Sequence, residues 1–259
     1  APVYTLEGDI LFDKKDIGNA CSRYEQAIYF DPSCKEAYIK YARAYSGVNS
    51  ELAIEMLQKL KAQDPSFLLA AKELADVYYA SGQYRKAIEA YDSYLKTGFC
   101  SDADFAKYAT TLYLAKDYSR SLEMATQGLK KNPDNLLLKR LLMYNDFELK
   151  KYPEGVVAAG KFFDKPVNPD YVYLDHLYYG RLLKANQQME ESIPELEAAL
   201  KMDSTKVEIW KELSETYEKM NNYDAAVDAY LSYMKALGQK ADVTDLFSLG
   251  RLYYYAGSA

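Results

Sequence analysis

Four groups of residues stand at spacings that chemistry could use. Gly155-Val-Val-Ala-Ala-Gly160-Lys161 has the glycine and lysine spacing of a phosphate-binding loop, but Phe162 replaces the Ser or Thr that would hold magnesium, and no strand pattern precedes it. Gly155 already has a packing role in a repeat described below, so nucleotide binding is not expected. The single histidine, His176, lacks the partners that would orient it as a base and reads as a core or interface residue. The paired acids Glu190-Glu191 and Glu195-Glu197 fall on a helix whose other face is apolar, which predicts a solvated surface. Cys21, Cys34 and Cys100 form no CxxC pair, and three thiols cannot all pair within one chain. A helix running from near Cys21 separates it from Cys34 by more than the roughly 7 Å a disulfide spans. With no HExxH, GxSxG or calcium-loop pattern, the sequence predicts no catalytic residue, no metal and no cofactor.

The elements that would position any site are set by composition and repetition. The chain has 259 residues, 49% of them hydrophobic and 27% charged, enough for a sizeable core. No apolar run approaches the roughly 18 to 20 residues of a membrane span. A net charge of -6 argues against nucleic acid, whose phosphates call for a basic face. Tyrosine is over-used, at 27 residues against 9 Phe and 1 Trp. The chain begins Ala1-Pro2, which suggests a processed or excised piece; the expectation is a soluble protein, cytoplasmic or exported with its targeting signal removed.

Small residues recur at Gly8, Ala42, Ala75, Ala109, Gly180, Ser214 and Gly250, with Met143 in the missing place. A second series runs Ala20, Ala53, Ala87, Ser121, Gly155, Ser192 and Ala226. Both step by about 34 residues, the signature of a helical repeat array. Leu74, Ala75 and Tyr78 form one apolar stripe, Gly82 interrupts it, and Ala87, Ile88, Tyr91, Tyr94 and Leu95 form a second. Each unit therefore reads as helix, turn, helix. Small residues are expected where two helix backbones approach closely, with aromatics filling the wider space beside them. Pro32, Pro65 and Pro133 end second helices, whereas Pro153 and Pro194 are read as lying in or near first turns.

Trp210-x2-Leu213-Ser214-x2-Tyr217 with Ala226-x3-Tyr230, and Tyr38-x2-Tyr41-Ala42-x2-Tyr45 with Ala53-x3-Leu57 and Pro65, resemble the tetratricopeptide repeat. The resemblance covers essentially the whole chain. It implies an all-α right-handed superhelix, an α-solenoid, as a single array over 1–259 of seven full repeats plus the first helix of an eighth. The fifth unit departs most, with Lys139, Met143 and Asp146 in the aromatic, small and tyrosine places, and looser packing is expected there. The run 164–170, with Pro166 and Pro169, is the best place for a bend.

Such arrays generally bind a partner's extended segment on a concave wall lined by first helices. The resemblance therefore implies a non-catalytic scaffold or adaptor for a protein or peptide partner; the alternative is a regulatory or sensor module excised from a larger protein. Partner-binding residues are expected at Tyr113, Arg140, Tyr144, Phe147, Tyr178 and Arg181, since aromatics and arginine dominate interface hot spots. The plainer alternative is that these side chains only bridge neighbouring helices. The terminal-carboxylate clamp of the chaperone-binding branch is missing, its places being held by Thr5, Asp9 and Lys40. Apolar Leu249, Leu252 and Tyr253 near the end of the chain predict either further repeat sequence or end-to-end self-association through the last helix.

Overall fold

The computed structural model describes residues 1–95, 101–164 and 169–257. Cys100, Pro166 and the middle of the predicted bend lie outside the described residues. Among the described residues the regular structure is fifteen α-helices and one short 3-10 helix, with no strand. The chain forms two compact units, Ala1–Lys131 and Asn132–Ala259.

The first unit holds α1 (Pro2–Asp13), α2 (Ile17–Phe30), α3 (Lys35–Tyr45), α4 (Ser50–Gln63), α5 (Leu68–Ala80), α6 (Tyr84–Leu95), α7 (Asp102–Leu114) and α8 (Tyr118–Lys131). The second holds α9 (Leu136–Glu148), α10 (Tyr152–Phe162), α11 (Tyr173–Ala185), α12 (Met189–Met202), α13 (Glu208–Lys219), α14 (Tyr223–Leu237) and α15 (Val243–Ala256). Odd-numbered helices are first helices of a pair and even-numbered ones second helices. Within each unit consecutive helices pack together, and first helices also touch first helices, as α3 touches α5 and α9 touches α11.

The two small-residue series meet inside the pairs. Ala42, Ala75, Ala109, Ala20, Ala53, Ala87 and Ala226 are completely buried. Ser121 Oγ donates to the Ala109 carbonyl at 2.8 Å, and Ser214 Oγ to that of Ala226 at 2.7 Å, so the series face each other directly. A methyl group on Gly180 would lie 2.9 Å from Leu196 and 3.3 Å from the Ser192 carbonyl. Gly250 is the exception and is exposed, because α15 packs on α14 through Leu252 and turns Leu246, Gly250 and Tyr253 outward.

The looser packing expected of the fifth unit is not what the helices show. Met143 is fully buried, and Gly155 stands at the matching place of α10, where a Cβ would fall 2.4 Å from Leu182. The missing side chain of Gly155 makes room for Leu182 of α11. Pro194 lies near the first turn of α12, early in the second, where it removes one backbone hydrogen bond. The helix continues because its buried face, Ser192, Leu196, Ala199 and Leu200, is held by packing.

The turn inside most pairs closes on a left-handed residue at one repeat phase: Lys15, Gly82, Lys116, Lys150, Gln187 and Asn221. The next amide reaches five residues back, as Asp117 does to Leu112 and Lys151 to Asp146, which satisfies the last carbonyls of the first helix. Tyrosine is over-used because it supplies two contacts at once. Its ring fills the core while its hydroxyl reaches a carboxylate on another helix: Tyr24 to Asp9 at 2.9 Å, Tyr91 to Asp76 at 2.5 Å, Tyr94 to Asp104 at 3.0 Å and Tyr230 to Asp245 at 3.1 Å. Trp210 packs against the apolar clusters formed by α12, α13 and α14.

Candidate partner-binding surface

The outward positions of the first helices carry charges of both signs, and the structure joins them from one first helix to the next. In the first unit Lys40 pairs with Asp9 at 2.6 Å, Arg43 with Glu73 through Nε at 3.0 Å, Lys72 with Asp104 at 3.3 Å and Lys107 with Asp76 at 2.7 Å. In the second, Arg181 pairs with Glu212 through Nε at 3.0 Å, Lys184 with Glu215 at 3.1 Å and Arg251 with Glu218 through Nη2 at 3.0 Å. Thr5, Asp9 and Lys40, the places of the absent carboxylate clamp, are thus partly taken by an internal ion pair.

Five of the six predicted residues lie in the second unit, on α9 and α11, and two of them, Arg140 and Tyr144, meet at one carboxylate. Asp175 is completely buried. It accepts from Arg140 Nε at 2.6 Å and Nη2 at 2.9 Å, from the Tyr144 hydroxyl at 2.6 Å and from the Val172 amide at 2.9 Å. Arg140 Nη2 also reaches the Asp170 carbonyl at 2.8 Å, and the guanidinium lies 5.6 Å from the Phe162 ring centre. Burial alone would lower the Arg140 pKa, but the hydrogen bonds and charge of Asp175 raise it on balance.

The Tyr144 ring stacks on Tyr178 at 4.0 Å, and Phe147 meets Tyr178 edge-on at 5.3 Å. The Tyr178 hydroxyl donates to Glu148 at 2.8 Å. Arg181 is held by Glu212, whose hydrogen bond raises the arginine pKa further. Tyr144 is buried, whereas Phe147, Tyr178 and Arg181 keep part of their surface open. Tyr113 belongs to the first unit, on α7, where its ring lies 5.5 Å from Tyr118. Arg140 and Tyr144 therefore bridge neighbouring helices, and the open rings are Phe147, Tyr178 and Tyr113.

Asp175 was not legible as a site residue, although it shares its repeat phase with Asp104 and Asp245, which are also buried. The signal available was the N-terminal capping spacing, Ser101-x2-Asp104 and Asp242-x2-Asp245. Glu195, expected to be solvated, instead lies with Oε2 at 2.7 Å from His176 Nδ1. His176 also lies 4.7 Å from the Phe163 ring, in keeping with an interface residue. Gly155 to Lys161 is helical, within α10, so its amides are used internally. Cys21 and Cys34 are free thiols, burial pushing that of Cys21 up to about 11. Among the described residues no group of His, Cys, Asp and Glu is placed to hold a metal, and no helix is long and apolar enough to cross a membrane.

Among known proteins, the chain is 31% identical over 86 residues to small glutamine-rich tetratricopeptide repeat-containing protein 2 of Mycosarcoma maydis, a match covering 33% of this chain and 24% of that relative. Its fold is similar to the C-terminal part of a tetratricopeptide repeat-containing protein from Cytophaga hutchinsonii, with a TM-score of 0.67 at 15% identity, covering 85% of this chain and 88% of the other. It is also similar to a chain of the APC/C hetero-tetramer Cut9-Hcn1, with a TM-score of 0.59 at 13% identity, covering 96% of this chain and 48% of that one. Tetratricopeptide repeat profiles match residues 48–106 and 180–241, and a second profile of the same repeat matches 1–34. With the profiles spanning more than half of its length and the helix pairs in the expected phase, the chain belongs to the tetratricopeptide repeat family.

Proposed function

We propose that the chain is a non-catalytic scaffold that binds an extended segment of a protein partner on the first-helix face of its second unit, at the open rings Phe147 and Tyr178 of α9 and α11. One observation carries this reading. Phe147 and Tyr178 are held edge-on at 5.3 Å beside the fixed Arg140–Asp175 and Arg181–Glu212 pairs, so large contact area is offered with little side-chain freedom left to lose. The Cut9-Hcn1 assembly supports it, as a neighbour of like fold that sits in a hetero-tetramer. The paired arginines fix the wall in place, and a segment with apolar side chains to lay on the rings suits it.

Replacing Arg140 or Tyr144 would disturb the Asp175 junction, so the informative variants are Phe147→Ala and Tyr178→Ala. A bait carrying both, with an unchanged melting transition, should capture its partner at least tenfold more weakly, about 1.4 kcal/mol. Full-strength capture moves the site off this face. The same surface would serve a regulatory or sensor module within a longer protein. A second contact is proposed at α15, where Leu246, Phe247 and Tyr254 are 60%, 73% and 70% exposed and offer a second copy an apolar helix face. Sedimentation that stays monomeric up to millimolar concentration would dismiss it.

A further inference from the structure

In the first unit the successive second-helix pairs α4–α6 and α6–α8 differ at one charged contact. Between α6 and α8, Arg120 of α8 reaches Asp92 of α6 at 2.6 Å, and both contact the hydroxyl of Tyr108. The bridge closes that gap. One repeat earlier, between α4 and α6, Lys86 takes the place of Arg120, and the place of Asp92 is taken by neutral Gln58, while Leu74 replaces Tyr108. Gln58 spends its amide on the Tyr78 hydroxyl at 3.0 Å.

What remains is an open groove of about 580 Å³ lined by Gln58, Lys61, Leu74, Tyr78, Lys86 and Ala90, among others. Its floor is apolar, and small Ala62, Ala90 and Ser93 keep it open. Lys86 lies 5.6 Å from the Tyr78 ring centre and donates to Gln83 at 2.9 Å, but no carboxylate among the described residues lies within ion-pair distance of Lys61 or Lys86. Glu89 is the one acid lining the groove, on the same helix as Lys86 and apart from it.

We infer that this groove is a second docking site, for an acidic segment of a protein partner, whose carboxylate takes the place beside Lys86 that Asp92 fills beside Arg120 while an apolar neighbour rests over Leu74 and Ala90. Every cation of the first-helix ladder described above already has an internal carboxylate, whereas these two lysines, side by side in one groove with apolar Leu74 and Ala90, have none, so the groove offers an acidic segment charge complementarity. The site stands apart from the first-helix rings of the proposed function, and either can fail alone.

The test titrates the whole chain into a fluorescein-labelled decapeptide alternating Asp or Glu with Leu, alongside the same peptide with Asn and Gln in place of the acids. Anisotropy should show binding of the acidic peptide that weakens with salt, and at least tenfold weaker binding of the amide peptide. Lys61→Ala with Lys86→Ala should weaken the acidic peptide at least tenfold. Gln58→Asp should do the same by supplying Lys86 with an internal carboxylate, and circular dichroism checks that each variant keeps its helices. Equal binding of the two peptides, or unchanged affinity in either variant, overturns the inference. Loss of binding in the Phe147→Ala, Tyr178→Ala chain also overturns it, by placing the peptide on the other face.

Discussion

The chain joins one helix pair to the next in two ways. Before α3, α5 and α13 the link is a short turn, Asp31-Pro32-Ser33, Asp64-Pro65-Ser66 or Asp203-Ser204-Thr205. There the aspartate accepts the amide two residues on, at 3.0 Å in each case, and the next helix opens on a buried apolar residue, Ala37, Ala70 or Ile209. Before α7, α11 and α15 no such tripeptide occurs, and the same buried place holds Asp104, Asp175 or Asp245. Each accepts the amide three residues back, from Ser101, Val172 or Asp242, and a tyrosine hydroxyl from an earlier helix, Tyr94, Tyr144 or Tyr230. The difference teaches that a tight turn needs only local, solvent-exposed hydrogen bonds. A junction without one relies on a buried carboxylate that caps one helix and ties it to another.

Asp175→Ala should separate the two kinds most strongly. It leaves the guanidinium of Arg140 and the hydroxyl of Tyr144 without their shared acceptor, and the expected loss is about 3–5 kcal/mol, read by urea unfolding. A loss below about 1 kcal/mol would show that this junction is no stronger than a turn. Asp146, on the same helix as Tyr144, sharpens the contrast, since it is buried without the ring of donors that Asp175 has. Burial pushes its carboxyl up to about 6, against about 3.9 for an exposed aspartate. The folded chain therefore holds that proton more tightly, so its stability should fall as pH rises from about 4 to 6 and stay flat above. Asp146→Asn should remove that slope from the melting temperature measured across the same window.

Inside a pair, Ala87→Leu should cost about 1–3 kcal/mol by overpacking a contact that has no free volume, and an unchanged melting midpoint would refute that contact. Lys150→Gly should raise stability by up to about 1 kcal/mol in the same assay, because glycine holds the left-handed conformation without the Cβ clash. The smallest effect is expected from Asp31→Ala in an exposed turn, a slight lowering of the melting midpoint. A fall matching that of Asp175→Ala would erase the distinction between junctions.

The repeat phase was legible because burying a small residue at a helix crossing leaves few alternatives; Ala75 and Ala87 could be read from spacing alone. The partners of Arg140 and Arg181 could not, since a carboxylate 35 or 31 residues away has no local signal. Lysine gives no hint of a left-handed turn at positions 116 and 150, where helix closure imposes the conformation against its preference. The rings of the candidate surface were found by type, but which of them stay open depends on Asp175, and an aspartate reads alike as cap, core or surface.

Trp210, alone of its kind and packed from α13 against the apolar clusters that include residues of α12 and α14, makes the molecule report unequally on itself. Its emission watches the second unit, while the tyrosines are spread along both. A denaturant titration followed at the indole and by ellipticity will give superimposable curves if the two units melt as one cooperative body, and displaced curves if each melts alone.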